Sequence, residues 1–339
     1  MKAINLEALI YSVLDALLYL SIGLIFLYVS QFYQKGDELT AGFFVAYIFY
    51  LQKLFDPLKE MSGRFAVLQS AFSALGKINS IMDLPLPKDE GAAELKQHDI
   101  HIEDLSFSYK EGQSVIKNIS LEIPRGTSAA FVGPTGSGKT TMVKLLTRQY
   151  DVGEGRILLG GHSLSEYPRE LLKKEIVMVP QDPAIFHESV LFNITLNRAE
   201  VKKEDVYDIC RKIKLDRFIK GLPNGYDTIL SEGGKNLSCG QRQLLAMARA
   251  LASPAEILIF DEATANIDSE TESLIQEALD YVMSQKTTIV IAHRLSTIRH
   301  TKQIVVLKDG EILEKGSHDE LMKEQGLYAR MYDIQSMEK

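Results

Sequence analysis

The chain opens with two apolar stretches. From Ala8 to Val29 the only charged residue is Asp15, and a bilayer is crossed by roughly 20 apolar residues. From Leu39 to Leu51 there is no charge, and Phe55 carries the apolar character past Lys53, whose ammonium can snorkel to a membrane surface. A polar loop, Gln31–Glu38, lies between the two. The flanking cations Lys2, Lys53, Lys59 and Arg64 put both outer ends in the cytoplasm and the loop outside. The alternative is a pair of core helices in a soluble domain. Beyond them, Leu58, Met61, Phe65, Leu68, Phe72, Leu75, Ile78 and Met82 recur at spacings of three and four, which is one face of a helix. Pro57 is a possible kink. A helix from Thr40 to Met82 is about 64 Å long at ~1.5 Å per residue, twice the ~30 Å of bilayer hydrocarbon. Its second half is therefore expected to continue into the cytoplasm with an apolar stripe for partner helices.

Residues 84–98 (LPLPKDEGAAELKQH) combine prolines, a glycine and clustered charges, a linker composition. After them the pattern changes. Ile100, Ile102, Leu105, Phe107 and Tyr109 begin with period-2 alternation, and Ser128–Val132, Ile176–Val179, Ile257–Phe260 and Thr288–Ile291 are short runs rich in apolar and β-branched residues. Helical segments lie between several of them. This order predicts a mostly parallel sheet covered by helices.

Composition sharpens the division. The 339 residues are 45% hydrophobic and 24% charged, yet residues 1–56 hold just eight charges: Lys2, Glu7, Asp15, Lys35, Asp37, Glu38, Lys53 and Asp56. An ordinary average thus combines an apolar piece with a soluble one. The net charge of −7 gives no support to a nucleic-acid-binding surface. Two cysteines, Cys210 and Cys239, are too few for a disulfide framework and fit a reducing compartment. Asp15 either lines a path through the membrane or sits near the cytoplasmic end of its helix.

The chemistry begins at Gly133-Pro134-Thr135-Gly136-Ser137-Gly138-Lys139-Thr140, which fits GxxxxGK[ST]. Glycines let the backbone wrap a phosphate chain, and the following helix presents its positive end to the same anion. Lys139 is placed to reach the β- and γ-phosphates and Thr140 to ligand Mg2+. Ile257-Leu-Ile-Phe-Asp261-Glu262 is an apolar strand that ends in two acids. Asp261 suits a water-mediated Mg2+ ligand, and Glu262 a group that orients or deprotonates water. Taken alone, such an acid pair is equally a solvated strand end.

At Asn236-Leu237-Ser238-Cys239-Gly240-Gln241-Arg242-Gln243 the sequence resembles the LSGGQ signature of ATP-binding cassette (ABC) proteins. Other elements follow in the family's order. Tyr109 resembles the aromatic that stacks on adenine. Gln181, in VPQDP, resembles the glutamine linking Mg2+ and the γ-phosphate to the membrane domain. Ala265–Asp268 is similar to the loop that crosses the cassette dimer, His293 in IAHRLST to the switch histidine, and Glu232-Gly-Gly to a loop typical of exporters. Singly, Tyr109 also reads as a strand end, Gln181 as a turn residue and His293 as a surface histidine. The resemblance implies an α/β P-loop NTPase cassette with a mostly parallel sheet, an antiparallel β subdomain and a helical signature subdomain, preceded by two transmembrane helices. Residues 1–83 would be a partial transmembrane domain, 84–98 a linker and 99–339 the cassette. It implies that ATP meets Tyr109, the loop from Gly133 to Thr140, and Thr141. Ser238, Gly240 and Gln241 would close on the γ-phosphate held by a second cassette. Catalysis would rest on Glu262, His293, Gln181 and Lys139, and Mg2+ on Thr140, Gln181 and Asp261.

Two departures matter. Cys239 stands where glycine is usual, while Glu262 and His293 are intact. This pattern, with DEATANIDSETE, resembles the catalytically complete partner of heterodimeric multidrug exporters, and leaves heterodimer and homodimer both open. Exporters of the family also carry six transmembrane helices before each cassette, whereas two are expected here, similar to the last two. The chain is accordingly expected to be the C-terminal portion of a multi-pass half-transporter in the cell membrane, among lipid, with its cassette in the cytoplasm. The causes open are a fragment, a wrong start or a split gene. A transport-incompetent cassette fragment and a soluble ABC ATPase of repair or translation are the alternatives. The latter resembles this chain less. Repair members of the family insert a long coiled coil between phosphate loop and signature, whereas Lys139 and Ser238 are only about a hundred residues apart without heptads. Translation members usually carry two cassettes per chain, and the two apolar helices argue against both.

Overall fold

The computed structural model describes residues 2–33, 41–84, 91–110, 112–262, 269–292 and 298–337. The chain divides into two compact units, Met1–Pro87 and Lys88–Lys339.

The first unit is a helix pair, α1 (Lys2–Tyr33) and α2 (Ala41–Met82). Among the described residues one helical stretch, Tyr11–Gln31, is long and apolar enough to cross a membrane. In α2 the charges at Lys53, Asp56, Lys59 and Glu60 dilute the apolar character of the first half. The two helices touch through Phe26 and Phe44, stacked with centroids 5.8 Å apart. α2 runs through Pro57 without ending. Its periodic apolar positions are exposed, Phe65 at 70% and Phe72 at 69%. Thr40, the expected start of this helix, lies outside the described residues.

The second unit contains two sheets. Its first elements are β1 (Ile100–Ser108), β2 (Ser114–Ile123), β3 (Ser128–Val132), α3 (Lys139–Leu146), β4 (Glu154–Leu159) and β5 (His162–Ser163). There follow α4 (Arg169–Glu175), β6 (Ile176–Val179), α5 (Val190–Thr195), α6 (Lys203–Lys212), α7 (Asp216–Lys220) and α8 (Cys239–Ala252). The chain closes with β7 (Ile257–Glu262), α9 (Ser269–Gln285), β8 (Thr287–Ala292), β9 (Gln303–Lys308), β10 (Glu311–Gly316), α10 (His318–Glu324) and α11 (Leu327–Met337).

The larger sheet has the order β10-β9-β3-β8-β7-β6. It is parallel except at β10, which turns back antiparallel on β9. The smaller sheet, β2-β1-β4-β5, is antiparallel throughout. The parallel strands are buried on both faces, and their alternation separates two cores. Ala130, Val132, Leu258, Phe260, Val290 and Val306 face one core, with α5, α6, α8 and α9. Ala129, Phe131, Ile257, Ile259, Ile291 and Val305 face the other, with α3 and the antiparallel sheet. Helices thus cover one face, while α3 and the small antiparallel sheet cover the other, where the βαβ order alone predicts helices.

Residues 91–98 have no regular secondary structure, yet they belong to this packing. The Ala93 N–H donates to the Glu166 carbonyl at 3.0 Å, Ala93 and Leu95 pack on the second core, and His98 Nε2 lies 3.0 Å from Glu175 Oε2. At Gly91 an added Cβ would meet the Tyr167 carbonyl carbon at 2.4 Å.

Candidate functional site

The phosphate loop lies where β3 feeds α3. Both ends of the loop need glycine. Gly133 has φ 147°, and a Cβ there would sit 2.1 Å from the Leu307 carbonyl oxygen. Gly138, with φ 106°, caps α3 in a left-handed conformation, where an L side chain is strained. The turn is closed by the Ser137 N–H donating to the Pro134 carbonyl at 3.2 Å. Pro134, Thr135 and Gly136 are exposed at its crest. The first turn of α3 leaves N–H groups without intrahelical acceptors, and these are the groups that bind anions at helix starts. Lys139 is buried at 6% exposure. Its Nζ donates to the carbonyls of Gly133 at 2.7 Å and Pro134 at 3.0 Å, folding the ammonium over the loop. Burial holds its pKa below the ordinary 10.5, and the negative charge of Asp261 pulls it partly back.

That charge coupling follows from strand register. Ala130, Val290, Phe260 and Val179 form one row across β3, β8, β7 and β6, and the next row carries Phe131, Ile291 and Asp261. Asp261 therefore emerges at the carboxyl end of the sheet, at the edge where the phosphate loop begins, which is where open α/β sheets bind ligands. The Glu262 backbone pairs with Ala292 one row further. Gln181 follows β6 by two residues and is exposed. His293 and Ala265–Asp268 lie outside the described residues. Oxygen donors from Thr140, Asp261 and Gln181 suit a hard cation such as Mg2+. Among the described residues no cluster of three or more His, Cys, Asp or Glu side chains is placed to hold a metal ion.

Beside the loop stands an aromatic group. Tyr109, just past β1, shares a 3.1 Å hydrogen bond with Thr141 Oγ1. Its ring meets Phe107 and Tyr150 edge to face, each at 5.1 Å between centroids. Lys144 Nζ lies 5.6 Å from the Tyr109 centroid and 5.9 Å from that of Tyr150. Tyr109 keeps 43% of its surface exposed, so the group offers a ring to a flat ligand. The sequence points to Tyr109 and reads Phe107 only as a strand position, and it does not single out Lys144 or Tyr150. Tyr150 lies beyond the end of α3, and no local pattern marks it.

The signature segment forms the N-terminus of α8. Ser238 caps the helix: its Oγ accepts from the Gln241 N–H at 3.1 Å, and its own N–H donates to Gln241 Oε1 at 2.9 Å, a reciprocal capping box. Glu232-Gly233-Gly234 makes a short turn before it, with φ 68° and 64° at the glycines. Gly240 is buried, and a Cβ there would meet Thr271 Cγ2 of α9 at 1.9 Å. Cys239 is half-buried. Among the described residues no hydrogen bond or ion pair joins Ser238, Gly240 or Gln241 to the phosphate loop. Within one chain, then, loop and signature are separate structures.

Comparison with known proteins agrees with this architecture. Residues 116–265 match the family model described as ABC transporter. Over 302 residues, 88% of this chain, the sequence is 42% identical to a putative ABC transporter ATP-binding protein, exp8, of Streptococcus pneumoniae, covering 52% of it. It is 39% identical over 337 residues to the multidrug resistance-like ATP-binding protein MdlB of Buchnera aphidicola, covering 99% of this chain and 58% of that one. With an ATP-dependent lipid A-core flippase of Legionella pneumophila the identity is 40%, over 88% of this chain and 51% of the relative. Among solved structures, a bacterial Atm1-family ABC exporter with ATP bound superposes with a TM-score of 0.70 at 34% identity, over 88% of this chain and 53% of that one. The chain spans about half the length of the curated relatives it matches.

Proposed function

The chain carries the ATP-binding cassette of the ABC transporter family, and from that premise we propose that it binds and hydrolyses ATP as part of an exporter. The observation that carries this reading is the buried Lys139 folded over the phosphate loop, coupled to Asp261 at the same sheet edge. In the proposed reaction the loop from Gly133 to Thr141 grips the phosphates by its N–H groups, Tyr109 stacks on adenine, and Lys139 draws charge from the β- and γ-phosphates. Thr140, Asp261 and Gln181 would hold Mg2+, which supplies charge neutralisation between those phosphates. Glu262 orients or deprotonates the attacking water, and His293 contacts the γ-phosphate. Ser238, Gly240 and Gln241 close on a nucleotide held by a second cassette, so the working unit is a dimer with two ATP molecules between its cassettes. A heterodimer with a second half-transporter and a homodimer are both compatible with Cys239. Hydrolysis removes the charge that holds the sandwich shut, and the opening drives alternating access in the membrane part.

In this reading α1 and the start of α2 cross the cell membrane, among lipid, and the cassette is cytoplasmic. The exported substrate belongs to the class handled by multidrug or lipid exporters, after the relatives' names. The decisive experiment measures ATP hydrolysis and ATP-dependent association of the full chain, alone and with candidate partner subunits. Lys139→Ala is expected to lose ATP binding. Glu262→Gln is expected to bind ATP, stop hydrolysing it and accumulate the closed dimer. Undiminished hydrolysis in both variants would exclude this site as the catalytic one.

A further inference from the structure

The base-binding group contains a residue with no role in the reading above. Tyr109 is the proposed adenine ring, and it follows the last residue of β1. Its orientation is set by side chains. The hydroxyl is tied to Thr141, Phe107 borders the ring, and Tyr150 meets it at 86° with centroids 5.1 Å apart, a favoured aromatic geometry. Lys144 lies over both tyrosine rings, within reach of a cation–π attraction. Thr141 and Lys144 are three residues apart on α3 and so share a helix face. Tyr150 follows the same helix. α3 therefore carries phosphate-binding groups at its start and two of the side chains that brace Tyr109, Thr141 and Lys144, and the turn that follows it supplies Tyr150.

Tyr150 also meets Phe107 edge to face, at 5.7 Å, so it touches both aromatic residues of the β1 end. It is 43% exposed, more than a core-packing role alone would leave. We propose that Tyr150, with Lys144, is a positioning residue that holds the Tyr109 ring in the orientation that stacks on the nucleotide base. The proposal rests on the reading of Tyr109 as the base-stacking ring. Without Tyr150 the Tyr109 ring keeps Phe107 but loses one of its two edge-to-face neighbours and gains freedom to swing about the Thr141 hydrogen bond. A base then has to order the ring as it binds, which weakens affinity.

The test compares two ligands that share the phosphate loop and differ in the base. ATP and inorganic tripolyphosphate are titrated calorimetrically into the full chain, without hydrolysis, for the parent, Tyr150→Leu, Tyr150→Phe, Lys144→Met and Tyr109→Leu. Base–aromatic stacking spans roughly five- to a hundredfold in affinity. Tyr150→Leu is expected to weaken ATP about tenfold and leave tripolyphosphate unchanged. Tyr150→Phe, which keeps the ring, is expected to restore the parent affinity, and Lys144→Met to weaken ATP about twofold to threefold. Parent-like ATP affinity in Tyr150→Leu overturns the proposal. So does an equal loss for both ligands, which marks a purely structural defect. Tyr109→Leu separates the underlying reading: if it leaves ATP affinity unchanged, base stacking at Tyr109 falls, and the positioning role with it.

Discussion

The two small residues of the signature turn have opposite tolerances. Gly240 faces α9, and its missing Cβ is what lets Thr271 approach, since a methyl there would lie 1.9 Å from Thr271 Cγ2. Cys239 precedes it at the first helical position, half-buried, and its side chain is accommodated. The turn itself is fixed by the Ser238–Gln241 capping box, which makes no use of residue 239. The departure from the family's usual glycine at 239 thus falls on the position with room for it. Gly240→Ala is expected to cost about 1–3 kcal/mol through overpacking, and Cys239→Gly to change stability by less than about 1 kcal/mol. Urea unfolding of the two variants beside the parent checks the contrast, and equal midpoints would remove the packing explanation.

At the scale of elements, the C-terminal helix pair shows how a short helix is anchored. The Glu314 carboxylate of β10 accepts from the N–H groups of Leu327 and Tyr328, capping the start of α11. His318 Nδ1 lies 2.8 Å from the buried Tyr328 hydroxyl, and the His318 ring meets Tyr332 at 5.0 Å. Burial pushes the His318 pKa below its ordinary 6.5. The positive charges of Arg299 and His300 push the same way, and Asp319 opposes them. The unfolded chain therefore takes up this proton first, so stability falls as pH drops from about 6.5 through the lower folded value. His318→Gln is expected to flatten that part of the pH profile. Urea midpoints between pH 7 and pH 5 measure it, and parallel profiles would contradict the assignment. Elements differed in how legible they were from sequence. The strands β3, β6, β7 and β8 are continuous apolar runs and stood out as such. β2 is interrupted by Lys117 and by Asn118 at φ 46°, and β4 opens on Glu154-Gly155-Arg156, so neither alternates cleanly. The β9–β10 hairpin did carry a local signal, Asp309-Gly310 flanked by Lys308 and Glu311 between the apolar runs 304–307 and 312–313, a common hairpin turn. Within the site, the phosphate loop and the acids of β7 are contiguous motifs and could be found locally. Lys144 and Tyr150 acquire meaning only when folding sets them beside Tyr109.

For the whole molecule, sequence composition marks a division between an apolar helical part and a cassette, but it is blind to where packing begins. Prolines and charges make residues 84–98 look like one linker, because composition reports solvation and not contact. In residues 91–96 half-buried and exposed positions alternate, as in an extended segment lying on a surface. Gly91 allows the backbone to pass against Tyr167, itself fully buried. Ala93 donates to Glu166, Leu95 covers the second core, and His98 meets Glu175. The energetic boundary of the cassette is therefore expected near residue 91, not 99. A chain of residues 91–339 should unfold at a higher temperature than one of residues 99–339. The lost apolar burial and hydrogen bond are worth about 2–3 kcal/mol, which in a domain of this size is a shift of about 5–10 °C. Leu95→Ala in the longer chain should lower its melting temperature part of the way toward that of the shorter chain, because Leu95 packs on the second core. Identical melting temperatures for the two chains would show that residues 91–98 rest on the cassette without stabilising it.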